Sequence, residues 1–400
     1  MTLFGKLLGL SRDRSGILSH VVVPSLIMLG LAARYLGLYF VSGDMSQFLL
    51  PWYETLAAGG FQALRESFYN YTPPYMDLMA LAAGQSIIPG VLAIKLISIF
   101  FDICNAFLVY RILRIKYPQG ALPLAGAAAF WVLPTVLLNS AVWGQADAVY
   151  TFFLLASLYF LMQDRPLPAM LLLGISFSIK AQAVFLAPLL LLLIVRKKVP
   201  WYYVGLVPLM YVVMVLPVVF AGRPLMELLT VYVSQAGKYR SLSMHAPNLY
   251  VFISNRFYTP AVIIGMALTL FVVLAWVIVY ARRREKLIPD RILLYALASV
   301  VLLPFFLPKM HDRYFYPADV LSFLVAFYFP SLSFLALCYQ AVSMLVYSIF
   351  LLPSLGPMPH GVPQAILNTA AILNTVTILI LLWSQWRLRQ EPQPHLTPDT

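Results

Sequence analysis

Long apolar runs alternate with short polar connectors along nearly the whole chain. Runs at about 16–40, 88–110, 121–138, 147–163, 200–221, 258–281, 291–308, 316–330, 332–352 and 364–386 are read as membrane helices. A hydrocarbon core about 30 Å thick takes roughly 20 helical residues to cross, and a backbone in lipid must satisfy its own hydrogen bonds, so helix is the natural form of such runs. One segment breaks the pattern. Residues 167–195 are too long for one simple span and too short for two, and they carry Lys180 and Gln182 near their middle. This predicts two short helices meeting partway through the membrane, an arrangement tolerated where it is buried in protein or lines a cavity. With that pair the chain has about twelve membrane helices, an all-α polytopic membrane protein.

The connectors divide unevenly. The first, 41–87, holds Phe48, Leu49, Trp52, Tyr53, Leu56, Phe61 and Leu64 among polar residues, with a break at Gly59-Gly60. Two amphipathic helices lying in the interface fit that spacing, and a plain aromatic belt is the alternative. Pro73-Pro74 is expected to force an extended turn before the next span. A second long connector, 222–257, carries Tyr232, Gln235, Lys238, Tyr239, Arg240, His245 and Asn248, polar enough to gate or line a site. No internal repeat is evident, so 1–390 is read as one transmembrane domain and 391–400 as a short, polar, disordered tail. The first run lacks a small-residue cleavage site and is expected to stay as an anchor.

Composition and charge sharpen this picture. The 400 residues are 62% hydrophobic and 10% charged, with mean hydropathy +0.84, which excludes a soluble domain with a polar exterior. A net charge of +12 would suggest nucleic acid if the basic residues formed a surface. Instead Arg111 with Arg114 and Lys116, Arg196-Lys197-Lys198, and Arg282-Arg283-Arg284 each follow an apolar run. Basic residues in such places act as topogenic signals at a cytoplasmic face, so both termini are expected inside and no nucleic-acid partner is expected. Cys104 and Cys338 sit within apolar runs, and no disulfide or metal framework follows from them.

That orientation puts residues 41–87, 139–147, 222–257 and 309–315 on the outer face. Ionisable groups near a bilayer are costly, so acids and bases gathered there mark a functional site. Asp44, in Ser42-Gly43-Asp44, could cap the helix that follows it or serve as a base facing outward. Lys309, His311 and Arg313, with Tyr314 beside them, could grip a phosphate or simply anchor the interface. Lys180 requires an anion or a water-filled cavity unless it snorkels. Gln145 and Asp147 could bind sugar hydroxyls, with Trp143 packing on an apolar sugar face or lipid and Tyr71 in the same group. Asp147 could equally cap its own helix.

Five stretches together resemble the GT-C superfamily of membrane glycosyltransferases, in particular the bacterial mannosyltransferase-like branch related to the second mannosyltransferase of GPI-anchor synthesis. They are Ser42-Gly43-Asp44 with Trp52-Tyr53, Asn70-Tyr71-Thr72-Pro73-Pro74-Tyr75, Asn139 through Asp147, Ser176-Phe177-Ser178-Ile179-Lys180-Ala181-Gln182, and Met310-His311-Asp312-Arg313-Tyr314, in that order. The resemblance implies a GT-C-like bundle, an extracytoplasmic site supplied by a polyprenyl-phosphate sugar, and inversion at the anomeric carbon. It makes Asp44 the catalytic carboxylate of the first loop and places His311 to Tyr314 near the donor phosphate. It further implies a bacterial inner-membrane protein moving mannose or glucose to a glycolipid, oligosaccharide or protein acceptor, with no divalent metal expected. A transporter or flippase of lipid-linked sugar is the competing expectation, since a broken helix pair also suits alternating access. A noncatalytic membrane scaffold is a third.

Overall fold

A computed structural model describes residues 16–352 and 361–388; the expected tail at 391–400 lies outside them, as does the side chain of Lys238. Helix accounts for almost all regular structure. The first span, Leu18–Gly37, opens with a wide turn and continues as α1 (Val23–Gly37). The first connector then folds into α2 (Leu50–Gly59), preceded by a wide turn at Met45–Leu49, and α3 (Pro73–Ala83). Gly60, at φ +61°, ends α2 where the glycine pair was expected to break it. Pro73-Pro74 differs from expectation. These prolines open α3 rather than forming an extended turn, because a missing N–H and a fixed φ are both tolerated in a first helical turn.

The body follows as α4 (Gly90–Lys116), α5 (Leu122–Trp131), α6 (Pro134–Val142), α7 (Asp147–Met162), α8 (Pro166–Ile179), α9 (Ala187–Val195) and α10 (Leu206–Phe220). After the short α11 (Leu225–Leu229) and α12 (Val231–Lys238) come α13 (Tyr258–Ala281), α14 (Pro289–Phe306), α15 (Tyr316–Tyr328), α16 (Ser333–Leu351) and α17 (Val362–Arg387). Among the described residues seven helices are long and apolar enough to cross a membrane, or eight if the bent pair α5 and α6 makes one span. The protein is therefore an all-α, multi-pass membrane protein. In the 167–195 segment the helix stops at Lys180, which is extended at φ −149° and ψ 135°, and a tight helical turn at Ala181–Leu186 leads into α9.

Packing separates an inner set of helices from a lipid-facing one. Helix α14 is the most enclosed of the long helices, whereas α10 and α13 present most of their surface outward. Among the described residues one two-residue parallel pair, β1 (Ser243–Met244) with β2 (Met310–His311), joins the second long connector to the segment after α14. That connector is pinned rather than loose, since Tyr232 donates to the Phe177 carbonyl and Gln235 to that of Asn70.

Helix α4 carries a buried polar stripe. Lys95, Ser98, Asp102 and Asn105 are all fully buried, and their spacing of three and four residues places them on one face. Asp102 pairs with Arg34 of α1 at 2.7 Å and also accepts from Ser140 of α6. The Arg34 guanidinium donates to the Trp131 carbonyl at 2.8 Å and lies 3.2 Å from the centre of the Trp131 ring. One ion pair thus ties α1, α4, α5 and α6 together. Removing one partner leaves an uncompensated buried charge, so Arg34→Leu should destabilise the protein by about 3–5 kcal/mol. Thermal unfolding in detergent should show this, and the double change Arg34→Leu with Asp102→Leu should recover much of the loss.

Candidate active site

Asp44 does not cap the helix that follows it. The Ser42 hydroxyl takes that place, accepting from the Met45 N–H at 3.2 Å, and the Asp44 carboxylate makes no capping bond. It is left to face three donors from distant parts of the chain. The Trp143 indole N–H, the Gln145 amide and the Arg313 guanidinium each approach its Oδ2 at 3.1 Å. The side chain remains 33% exposed, the most accessible of the carboxylates that share Arg313.

Arg313 is the centre of the cluster. Besides Asp44 it lies 3.2 Å from Asp312 and 3.4 Å from Asp147, the last contact close enough for an ion pair but not aligned as a hydrogen bond. Its guanidinium also sits 4.6 Å from the Trp143 ring centre. Burial works against its charge, but Asp312, Asp147 and Asp44 outweigh that, and its pKa is held above the ordinary value. Asp312 is shifted upward, chiefly by burial, with Arg313 opposing.

Asp147 opens α7 and likewise caps nothing. Lys180 donates to its Oδ1 at 2.6 Å and Asn139 to its Oδ2 at 3.0 Å. The helix break explains the first contact, because an extended residue at position 180 turns the ammonium off the axis of α8 and toward the start of α7. Lys180 also lies 5.5 Å and 5.7 Å from the ring centres of Tyr71 and Tyr150, and the Tyr71 hydroxyl donates to Oε1 of the Gln145 side chain at 3.4 Å.

The structure brings Asp44, Trp143, Gln145, Asp147, Lys180, Arg313 and Tyr71 together, but several expected roles change. Asp147 is 1% exposed with both oxygens engaged, so it holds cations in place and cannot meet sugar hydroxyls. Trp143 is buried between Tyr347 and Phe350, which leaves no open ring face for a sugar. Lys180 is already neutralised by Asp147. Lys309, in a left-handed conformation at φ +65°, directs its ammonium to the Tyr258 ring at 5.6 Å. His311 is not cationic near neutral pH, because burial, then Arg313 and Lys180, lowers its pKa to about 4. Its ring lies 5.3 Å from that of Tyr314, which in turn packs on Phe185.

The stripe on α4 went unrecognised in the sequence, although polar residues at one helical spacing in an otherwise apolar run were a usable signal. Lys95 donates to the carbonyls of Gly37 and Phe40 at 2.8 Å and 2.6 Å, fixing the chain four residues before Asp44. Ser98 donates to the Gln145 carbonyl and Asn105 to that of Ala148, fixing the segment that supplies the partners of Asp44. Gly144 is required between them. Its φ is +74°, and a Cβ there would come within 2.6 Å of Met45.

Compared with protein-family models and with curated protein sequences, the chain matches none.

The arrangement offers one accessible carboxylate beside a strongly basic guanidinium, with an uncharged imidazole from the same segment as Arg313. Such a group can take a proton from a hydroxyl while the guanidinium steadies an anion. Among the described residues no set of three or more His, Cys, Asp or Glu is placed to hold a metal ion. The lowered pKa of His311 has a consequence for stability. Its pKa of about 4 in the folded protein lies below the ordinary 6.5, so the unfolded chain binds the proton more tightly between those values. The folded state should therefore lose stability as pH falls from 6.5 toward 4, and His311→Asn should flatten this part of a melting-temperature profile.

Proposed function

We propose that the protein is an inverting glycosyltransferase that moves a hexose, mannose or glucose, from a polyprenyl-phosphate sugar to an extracytoplasmic acceptor. The observation that carries this reading is the Asp44 carboxylate, released from helix capping and held partly open by Trp143, Gln145 and Arg313. Asp44 accepts the proton of the acceptor hydroxyl as its oxygen attacks the anomeric carbon. The bond from that carbon to the phosphate oxygen breaks on the opposite face, and the electron pair leaves with the lipid phosphate. The configuration inverts.

Charge balance adds a step. Asp44, Asp147 and Asp312 face Arg313 and Lys180, three carboxylates against two cations, with His311 neutral. The donor phosphate must compete with Asp44 for Arg313, and in displacing it frees the carboxylate to act as base. His311 and Tyr314 supply uncharged donors beside that phosphate, and Tyr71 and Gln145 meet the sugar or acceptor. On this reading the bundle is GT-C-like. Its shorter apolar helices also enter the membrane to give about twelve crossings, and both termini face the cytoplasm of a bacterial inner membrane.

The test is incubation of the purified protein with a panel of polyprenyl-phosphate hexoses and host lipid extract, with products identified by mass. Asp44→Asn should keep the fold and donor binding yet lower kcat by at least about 100-fold, because it retains size and removes the base. Normal turnover by that variant would overturn the assignment.

A further inference from the structure

The strongest unexplained cluster lies at the opposite end of the molecule from Asp44. Helix α14 begins at Pro289 beside this cluster and ends at Phe306, three residues before Lys309. Its 18 residues rise about 27 Å, so the two sites stand nearly a bilayer apart.

Three arginines, from the end of α9, the α13–α14 connector and the first turn of α14, gather there around Glu285, and two of them face its carboxylate. Arg196 donates to the backbone carbonyls of Tyr280 and Glu285, while Arg283 and Arg291 approach the Glu285 carboxylate at 3.8 Å and 3.9 Å. The Tyr295 hydroxyl also donates to that carboxylate, which weakens its hold on either arginine. Arg283 donates to the Gln385 carbonyl and Arg291 to that of Leu388. The Arg283 guanidinium also lies over the Tyr280 ring at 3.9 Å, and after these contacts Nε and Nη2 of Arg283 and Nη1 of Arg291, all buried, have no hydrogen-bond acceptor placed for them among the described residues. Guanidinium N–H groups withdrawn from water without acceptors cost free energy, so the cluster has room in its hydrogen bonding for an anion beyond those of the described residues.

The surroundings indicate what that anion is. Arg282, Arg284 and Lys286 are exposed around the cluster and add only positive charge. Trp383 and Trp386 of α17 are 55% and 46% exposed next to it, and the Arg387 guanidinium lies over the Trp383 ring. Half-exposed tryptophans beside basic residues mark the headgroup level of a bilayer. A basic pocket between membrane helices at that depth meets lipid phosphates before it meets dissolved ones.

The geometry points to a binding site for the phosphodiester headgroup of an anionic phospholipid between α13, α14 and α17, held by Arg283 and Arg291. Bound lipid completes the hydrogen bonding of both guanidinium groups and clamps the ends of these three helices. The site is independent of catalysis at Asp44.

The full-length protein, purified in neutral detergent and stripped of lipid, tests this through thermal unfolding followed by tryptophan fluorescence. Dioctanoyl phosphatidylglycerol should raise the melting temperature by a few degrees and saturate, since a ligand that binds only the folded state stabilises it. Dioctanoyl phosphatidylcholine at the same concentrations should give a clearly smaller shift. Arg283→Gln and Arg291→Gln should each raise the half-saturating lipid concentration at least about tenfold, in line with the loss of one charge-assisted contact. Arg165→Gln, which removes an exposed charge from another connector, should leave it unchanged. If Arg283→Gln does not fold, Arg291→Gln decides. Equal shifts with both lipids, or an unaltered titration in the foldable variants, would sink the proposal. Saturation by inorganic phosphate at the same concentrations would assign the site to a free anion and overturn the lipid.

Discussion

One guanidinium shared among three carboxylates organises the Asp44 end of this protein. Asp44, Asp147 and Asp312 come from three separate connectors, and Arg313 is within ion-pair distance of each. Carboxylates crowded together away from bulk water would repel and take up protons, and a central cation prevents that. The cation itself would be equally costly alone. Neither partner is tolerable without the other, so the loops carrying them are obliged to meet.

Such a meeting requires that the loops already start from fixed positions. The polar face of α4 provides them. Lys95 holds the backbone before Asp44, and Ser98 and Asn105 hold the backbone around Gln145 and Ala148, while Asp102 anchors Arg34. A bond from a buried side chain to a loop carbonyl stabilises one loop conformation over its neighbours, because the alternatives leave both groups unpaired in a low-dielectric interior. Helix α4 therefore acts as a ruler along which the 41–87 and 139–147 connectors are set.

Much of this was legible in the apolar pattern. The membrane character, the break near Lys180 and the glycine stop at Gly60 follow from run length, an embedded cation and a residue that tolerates positive φ. The gathering of Asp44, Gln145 and Arg313 was also anticipated, because ionisable residues in a hydrophobic chain have few places to go. Their pairing was not legible. Whether Asp147 faces a ligand or Lys180, and whether Trp143 offers its ring or only its N–H, depends on which side chain across the bundle fills the space. Local sequence holds no record of partners more than thirty residues away. Pro73-Pro74 misled for a local reason, since the same dipeptide can end an extended stretch or begin a helix.

The interruption at Lys180 bears on how the chain enters the bilayer. Helix α8 has 14 residues and α9 has 9, so each rises about 21 Å or less and falls short of the hydrocarbon thickness. Neither half can be threaded across lipid as a free-standing segment, because the opened backbone at its inner end would meet only acyl chains. Their polar junction becomes tolerable once Asp147 is present to receive Lys180. Settling of this region in the bilayer is then coupled to that of α7, which brings the carboxylate its broken backbone depends on.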